Sequence, residues 1–188
     1  KAKNEIMHFK IPTGWPPTVY DLKKHPVSRQ GFELGRKLFF DPVLSADSSI
    51  SCAGCHLPFT NFTHVDHAVS HGIQGLKGTR NTLSIINIAW NKSFMWDGGI
   101  NHIEVQPLAP IESKVEMHSS LAEIVRKLQR SVWYRKKFKL VFGEKSAISG
   151  ELVLKALSQY MLALQSYNSK YDKVMRGETG VAFTGAES

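Results

Sequence analysis

Among 188 residues the chain has only two cysteines, and they stand three apart with a histidine directly behind them: Ser51-Cys52-Ala53-Gly54-Cys55-His56. The spacing C-x-x-C-H is the attachment pattern of a c-type haem. Each part has a chemical reason. Two thiols add to the two vinyl groups of the macrocycle as thioethers, and the short spacer lets both reach one edge of it. The adjacent His56 is then placed to give the proximal nitrogen to iron. Small Ala53 and Gly54 let the turn lie close against the ring. On this reading the chain folds around one covalently held cofactor. Three other readings stay open at this point. Cys52 and Cys55 could hold a structural zinc with His64, His67 or His71. They could form a thioredoxin-like dithiol, although the alternating strands and helices of that fold are missing. The match could also be fortuitous.

The surrounding pattern is helical at both ends and irregular in the middle. Residues 1–25 carry Pro12, Gly14, Pro16 and Pro17 and read as irregular. A helix is expected from Ser28 to about Phe40, with Phe32, Gly35, Leu38 and Phe39 on one stripe and Gly35 at a close approach. Asp41-Pro42 ends it. Residues 42–118 are rich in glycine, proline and histidine, with few periodic runs, and a stretch of this length inside a domain usually carries function. Ser120-Leu-Ala-Glu123 reads as a capping box ahead of Ile124, Val125 and Leu128. A helical pattern continues over 131–142 and stops at Gly143. The longest helix is expected over 149–167, with Leu152, Ala156, Leu157, Tyr160, Met161 and Leu164 as core. No strand pattern and no repeat is visible, so the class is all-α, a cytochrome c-like haem domain with a long loop-rich haem-binding region.

Bulk composition narrows the function. With 42% hydrophobic residues the chain can bury a core without disulfides. No stretch approaches the roughly 18–20 apolar residues of a membrane span. The start, KAKNEIMHFKIPTGWPP, has no apolar segment of a signal peptide, which fits the mature form of an exported protein. The net charge of +8 raises nucleic acid as a partner, but the basic residues are spread out and the densest run, YRKKFK at 134–139, reads as the solvated face of a helix. No nucleic-acid partner is expected.

The stretch GRKLFFDPVLSADSSISCAGCH resembles the first haem segment of bacterial di-haem cytochrome c peroxidases. The likeness continues through SHGIQGLKGTRNTLSIINIAW, MWDGG, QPLAPI and VEM to LSQYMLALQSYNSKYDKVMRGE, in consistent order over nearly the whole chain. The family has two haem domains. The resemblance therefore implies that residues 1–188 are the N-terminal, peroxidatic haem domain, with one haem c and the second haem domain absent. It implies a periplasmic protein that reduces hydrogen peroxide to water. Electrons would come from a small cytochrome c or cupredoxin through the second haem, and the family commonly forms homodimers.

The resemblance also implies roles for individual residues. His71, in its Ser-His-Gly context, matches a second, removable haem-iron ligand opposite His56; Gly72, Gly75 and Gly78 suit a segment that moves. Glu116 matches the distal glutamate that takes a proton from the near oxygen of peroxide and returns it to the far one. Gln106 and Pro110 match neighbouring distal positions. Trp96 matches the tryptophan of a W-D-G-R motif between the haems, but Gly99 stands where the arginine would be. Asn81 matches a calcium-binding residue shared with the other domain, and Arg80 is a candidate partner for a haem propionate. Plainer roles compete: a surface histidine for His71, an exposed residue ahead of a helix for Glu116, packing for Trp96. Glu104 and Glu112 are rival acids, and His64 and His67 read mainly as solvated loop residues. Met95 and Met117 would be axial ligands if the chain were a monohaem electron carrier. Di-haem enzymes that oxidise protein tryptophan are a further relative, with a haem kept open; His71 argues against that version.

Overall fold

Helix α1, Arg29–Phe40, starts where Ser28 takes the Gly31 N–H on its hydroxyl and ends at Asp41 before Pro42, as the sequence predicts. Ser28 is itself held by helix α6: its N–H and hydroxyl both donate to Gln159 Oε1, at 2.9 and 3.0 Å. The computed structural model describes residues 4–188, so Lys1, Ala2 and Lys3 of the predicted irregular arm lie outside it. The other helices are α2 (Cys52–Cys55), α3 (Leu108–Glu112), α4 (Leu121–Arg130), α5 (Val132–Phe142), α6 (Gly150–Leu162) and α7 (Lys170–Met175), with short 3₁₀ turns between them. Among the described residues β-pairing is limited to isolated bridges, such as Ile6 with Ser28.

The core is the packing of α1 on α6. A Cβ on Gly35 would come within 1.9 Å of the Ala156 carbonyl oxygen, so glycine there allows the two backbones to meet. Around that contact Leu34, Leu38, Leu157, Phe138, Ile124 and Leu128 are sealed from solvent. Each contributes on the order of 1.5–3 kcal/mol through burial. Helices α4 and α5 pack on the same core, separated by Ser131, whose N–H closes α4 and whose hydroxyl opens α5 by accepting from Tyr134 N.

Two local expectations are corrected. The Ser120 hydroxyl accepts from Glu123 N, but the Glu123 carboxylate turns to Lys127 instead of back to the cap, so only half a capping box forms. The complete box is at Ser169 and Asp172, opening α7, which has no apolar stripe to announce it. Helix α6 stops at Leu162 and does not reach 167, because the Leu164 carbonyl is drawn off to accept the Asn87 N–H and Asn87 also clamps Ser166.

The long middle region is pinned without regular structure. Val19 and Tyr20 both donate backbone N–H to the Ala89 carbonyl, and Trp15 packs edge-on against Trp90 at 4.9 Å. The Lys127 ammonium donates to the carbonyls of Ser45 and Ala46 at 2.6 and 2.8 Å, fixing the loop that leads into Cys52.

Candidate haem site

Helix α2 is one turn long and presents Cys52, Cys55 and His56 to a single cavity of about 530 Å³. That volume lies within the roughly 300–1,000 Å³ of ligand pockets. Burial pushes the Cys52 thiol up to about 12, and the Cys55 thiol is raised by burial and then by the nearby Glu116 carboxylate. His56 Nδ1 lies 2.9 Å from the Phe62 carbonyl. A carbonyl can only accept, so Nδ1 carries the proton and Nε2 keeps its lone pair for a metal. Burial lowers the His56 pKa, against the pull of the Phe62 and Leu83 carbonyls, which keeps the ring a neutral ligand. The carbonyl is aimed by two consecutive left-handed residues, Asn61 and Phe62, both at φ 57°, an arrangement that costs non-glycine residues free energy. No sequence signal marks that strain.

The cavity also gathers Gln106, Pro110 and Glu116. Glu116 is half-buried and its carboxyl is raised above the usual range by loss of solvent. The rival acids lie elsewhere: Glu104 accepts the Tyr20 hydroxyl at 2.5 Å, and Glu112 is exposed outside the cavity wall. Gln106 Nε2 donates to the Met95 sulfur at 3.5 Å, so that methionine orients the amide. Met117 also lines the cavity, but as a core side chain.

His71 is not among the cavity-lining residues. Its ring stacks on His67 at 4.4 Å, with His64 edge-on to His67 at 4.9 Å. His64 is only partly solvated, contrary to the expectation for a loop histidine: its Nδ1 is buried without a partner. The backbone of His71 does stay at the site, since its carbonyl accepts from Cys55 Sγ at 3.4 Å. The next two residues grip the glutamate segment. A Cβ on Gly72 would fall 2.1 Å from the Val115 carbonyl, and Ile73 N–H donates to the Glu116 carbonyl at 2.7 Å.

At the rim, Trp96 is 59% exposed and its indole N–H donates to the Asn81 carbonyl at 2.8 Å. Asn81 Nδ2 is committed to the His67 carbonyl. Arg80 pairs with Asp97 at 3.0 Å, so the aspartate of Trp96-Asp97-Gly98-Gly99 has a cationic partner although Gly99 replaces the motif's arginine. Among the described residues no group of three or more His, Cys, Asp or Glu side chains is placed to hold a metal ion. The residues fit a covalently held haem instead: two thiols, an oriented imidazole with Nε2 available and an apolar cavity wall.

The description of the family model that matches residues 29–180 is di-haem cytochrome c peroxidase. A methylamine utilization protein MauG from Methylorubrum extorquens is 33% identical over 94% of this chain and 50% of its own length. A cytochrome c551 peroxidase from Pseudomonas aeruginosa is 33% identical over 87% of the chain and 47% of its own length. Among solved structures, a MauG-like protein associated with microbial copper homeostasis superposes with a TM-score of 0.85 at 32% identity, covering 96% of this chain and 52% of that one. The chain spans about half the length of these relatives.

Proposed function

The chain belongs to the di-haem cytochrome c peroxidase family, and we propose that it is a haem domain of such an enzyme, reducing hydrogen peroxide to water in the periplasm. The observation that carries this reading is one cavity shared by Cys52, Cys55, His56, Gln106 and Glu116. Haem, when bound, supplies the iron at which peroxide is reduced. Cys52 and Cys55 would hold it through thioethers and His56 Nε2 would ligate it. The Glu116 carboxylate takes the proton of the near peroxide oxygen and returns it to the far one. The Gln106 amide, held by Met95, orients the oxygens without titrating, and Pro110 shapes the wall. His71 would close the site as a second ligand only after its turn swings inward from His67. The family is di-haem and this sequence carries one C-x-x-C-H, so a second haem would be held outside these residues. Electrons from a small cytochrome c or cupredoxin would arrive through it, with Trp96 at the exposed rim and Asn81 contributing to a calcium site between the halves. No helix among the described residues is long and apolar enough to cross a membrane.

The test is the optical spectrum of the haem-matured protein together with its peroxide reaction. With the site held open by His71→Ala, peroxide should react rapidly when Glu116 is present and slowly when Glu116→Gln is added. Equal rates would remove the peroxidase reading. A second reading has a specific observation behind it: the His71 ring stands off the cavity, as expected of a tryptophan-oxidising relative with an open haem. A high-spin spectrum unchanged by His71→Ala would favour that version. A low-spin spectrum converted to high-spin by His71→Ala would favour the switching peroxidase.

A further inference from the structure

A serine from a distant segment braces the turn behind the proximal histidine. His56 Nδ1 faces the Phe62 carbonyl at 2.9 Å. Asn61 and Phe62 lie in a turn closed by an antiparallel bridge between Leu57 and Thr63, with the Thr60 hydroxyl 3.0 and 2.8 Å from the carbonyls of those two residues. Both Asn61 and Phe62 are left-handed, at φ 57°, and such a pair of non-glycine residues persists only where its surroundings hold it.

The peptide that joins the two is held on both edges. Phe62 N–H donates to the Leu57 carbonyl at 2.8 Å, within the turn. The Asn61 carbonyl accepts the Ser84 hydroxyl at 2.7 Å, from 23 residues further along the chain. The Ser84 oxygen in turn accepts the Ile86 N–H at 3.3 Å, which leaves its own proton for Asn61. A peptide unit is planar, so the two bonds fix its orientation. Without the Ser84 bond this peptide can rotate, Phe62 can leave the left-handed region, and its carbonyl loses its aim at Nδ1. Leu83, next to Ser84, also faces the His56 ring through its carbonyl, so the 83–84 segment meets both the turn and the ligand. An Nδ1–H bond to a carbonyl raises the basicity of the Nε2 lone pair, and hydrogen bonding around the axial ligand is one of the levers that set a haem's potential.

We propose that Ser84 is a positioning residue for the proximal ligand. Its hydroxyl holds the Asn61–Phe62 peptide so that the Phe62 carbonyl stays on His56 Nδ1, and it thereby sets how strongly His56 Nε2 donates to haem iron. The inference rests on the haem reading of Cys52, Cys55 and His56.

The experiment uses the haem-matured protein with the site held open by His71→Ala, and compares Ser84 with Ser84→Ala, Ser84→Thr and Ser84→Val. Ser84 is exposed, so these changes leave the core intact. Threonine and valine share a shape, so the difference between them reads the hydroxyl alone. Resonance Raman gives the iron–histidine stretching frequency of the reduced protein, and a redox titration gives the midpoint potential. In Ser84→Ala and Ser84→Val the frequency should fall and the potential should rise, because a weaker donor favours the oxidised iron less. Ser84→Thr should return both to the values with serine. Covalent haem with both readouts unmoved in Ser84→Ala and Ser84→Val would overturn the proposal, even if the melting temperature fell. Equal shifts in Ser84→Thr and Ser84→Val would overturn it as well, since bulk and not the hydroxyl would then be responsible. Absence of covalent haem from the protein with Ser84 intact would instead sink the haem reading itself.

Discussion

At the scale of single residues the site works through groups whose proton state is set by their surroundings. Glu116 has its carboxyl raised by burial, so the fraction ionised at a given pH is lower than for a free glutamate. The rate of the peroxide reaction should therefore fall with acid at a higher pH than an exposed carboxylate would give. Glu116→Gln should remove that limb and lower the rate by about 10²–10⁴-fold, read by stopped-flow over a pH series. Asp41 is the opposite case. Burial opposes ionisation, but the Tyr134 hydroxyl, the Val43 N–H and Lys37 outweigh it and hold the carboxyl below its usual value. A folded-state pKa below the unfolded one adds stability that is complete above the unfolded value, near pH 4, and is lost as pH falls through the folded value. Tyr134→Phe should cost about 1 kcal/mol at pH 7. The gap from wild type should narrow on acidification, measured by urea unfolding.

Elements carry the stability that holds these residues in place. Gly35→Ala should cost about 3 kcal/mol or more by urea unfolding, because the new methyl would collide with the Ala156 backbone and α1 would have to leave α6. Lys127→Met should cost about 1.5–3 kcal/mol, since its ammonium satisfies two loop carbonyls ahead of Cys52. The Gly35 contact was legible in the sequence because a small residue interrupts an otherwise large apolar stripe. The end of α6 was not. Apolar Leu164 keeps the helical rhythm going, and only a distant residue, Asn87, takes the carbonyl that would have continued it. The half-formed box at Ser120 has the same cause: Glu123 had two partners in reach, the cap and Lys127, and local sequence does not rank them.

For the whole molecule, covalent haem should be a stability determinant as well as a cofactor. Thioether-held haem stays attached on unfolding, but only the folded chain buries its apolar ring, in the cavity between Phe39, Leu157 and the loop region, and that burial favours the folded state. The double variant Cys52→Ser, Cys55→Ser should bind no covalent haem and melt at lower temperature than the matured wild type in calorimetry. The cavity's chemical members, from Cys52 to Glu116, could be named from residue type, motif and family likeness. Its side-chain geometry could not, since Arg80 with Asp97, Gln106 with Met95 and Trp96 with Asn81 are tertiary meetings that leave no period in the chain. The His64, His67 and His71 spacing even imitates a helical face, yet the segment is irregular and the three rings meet by loop packing. Finally, Ile73 hands its amide hydrogen to the Glu116 carbonyl while sitting two residues from His71. That one proton is a natural gauge. Its rate of exchange with deuterated solvent reads out how often the histidine turn lets go of the glutamate, without any label being added to the protein.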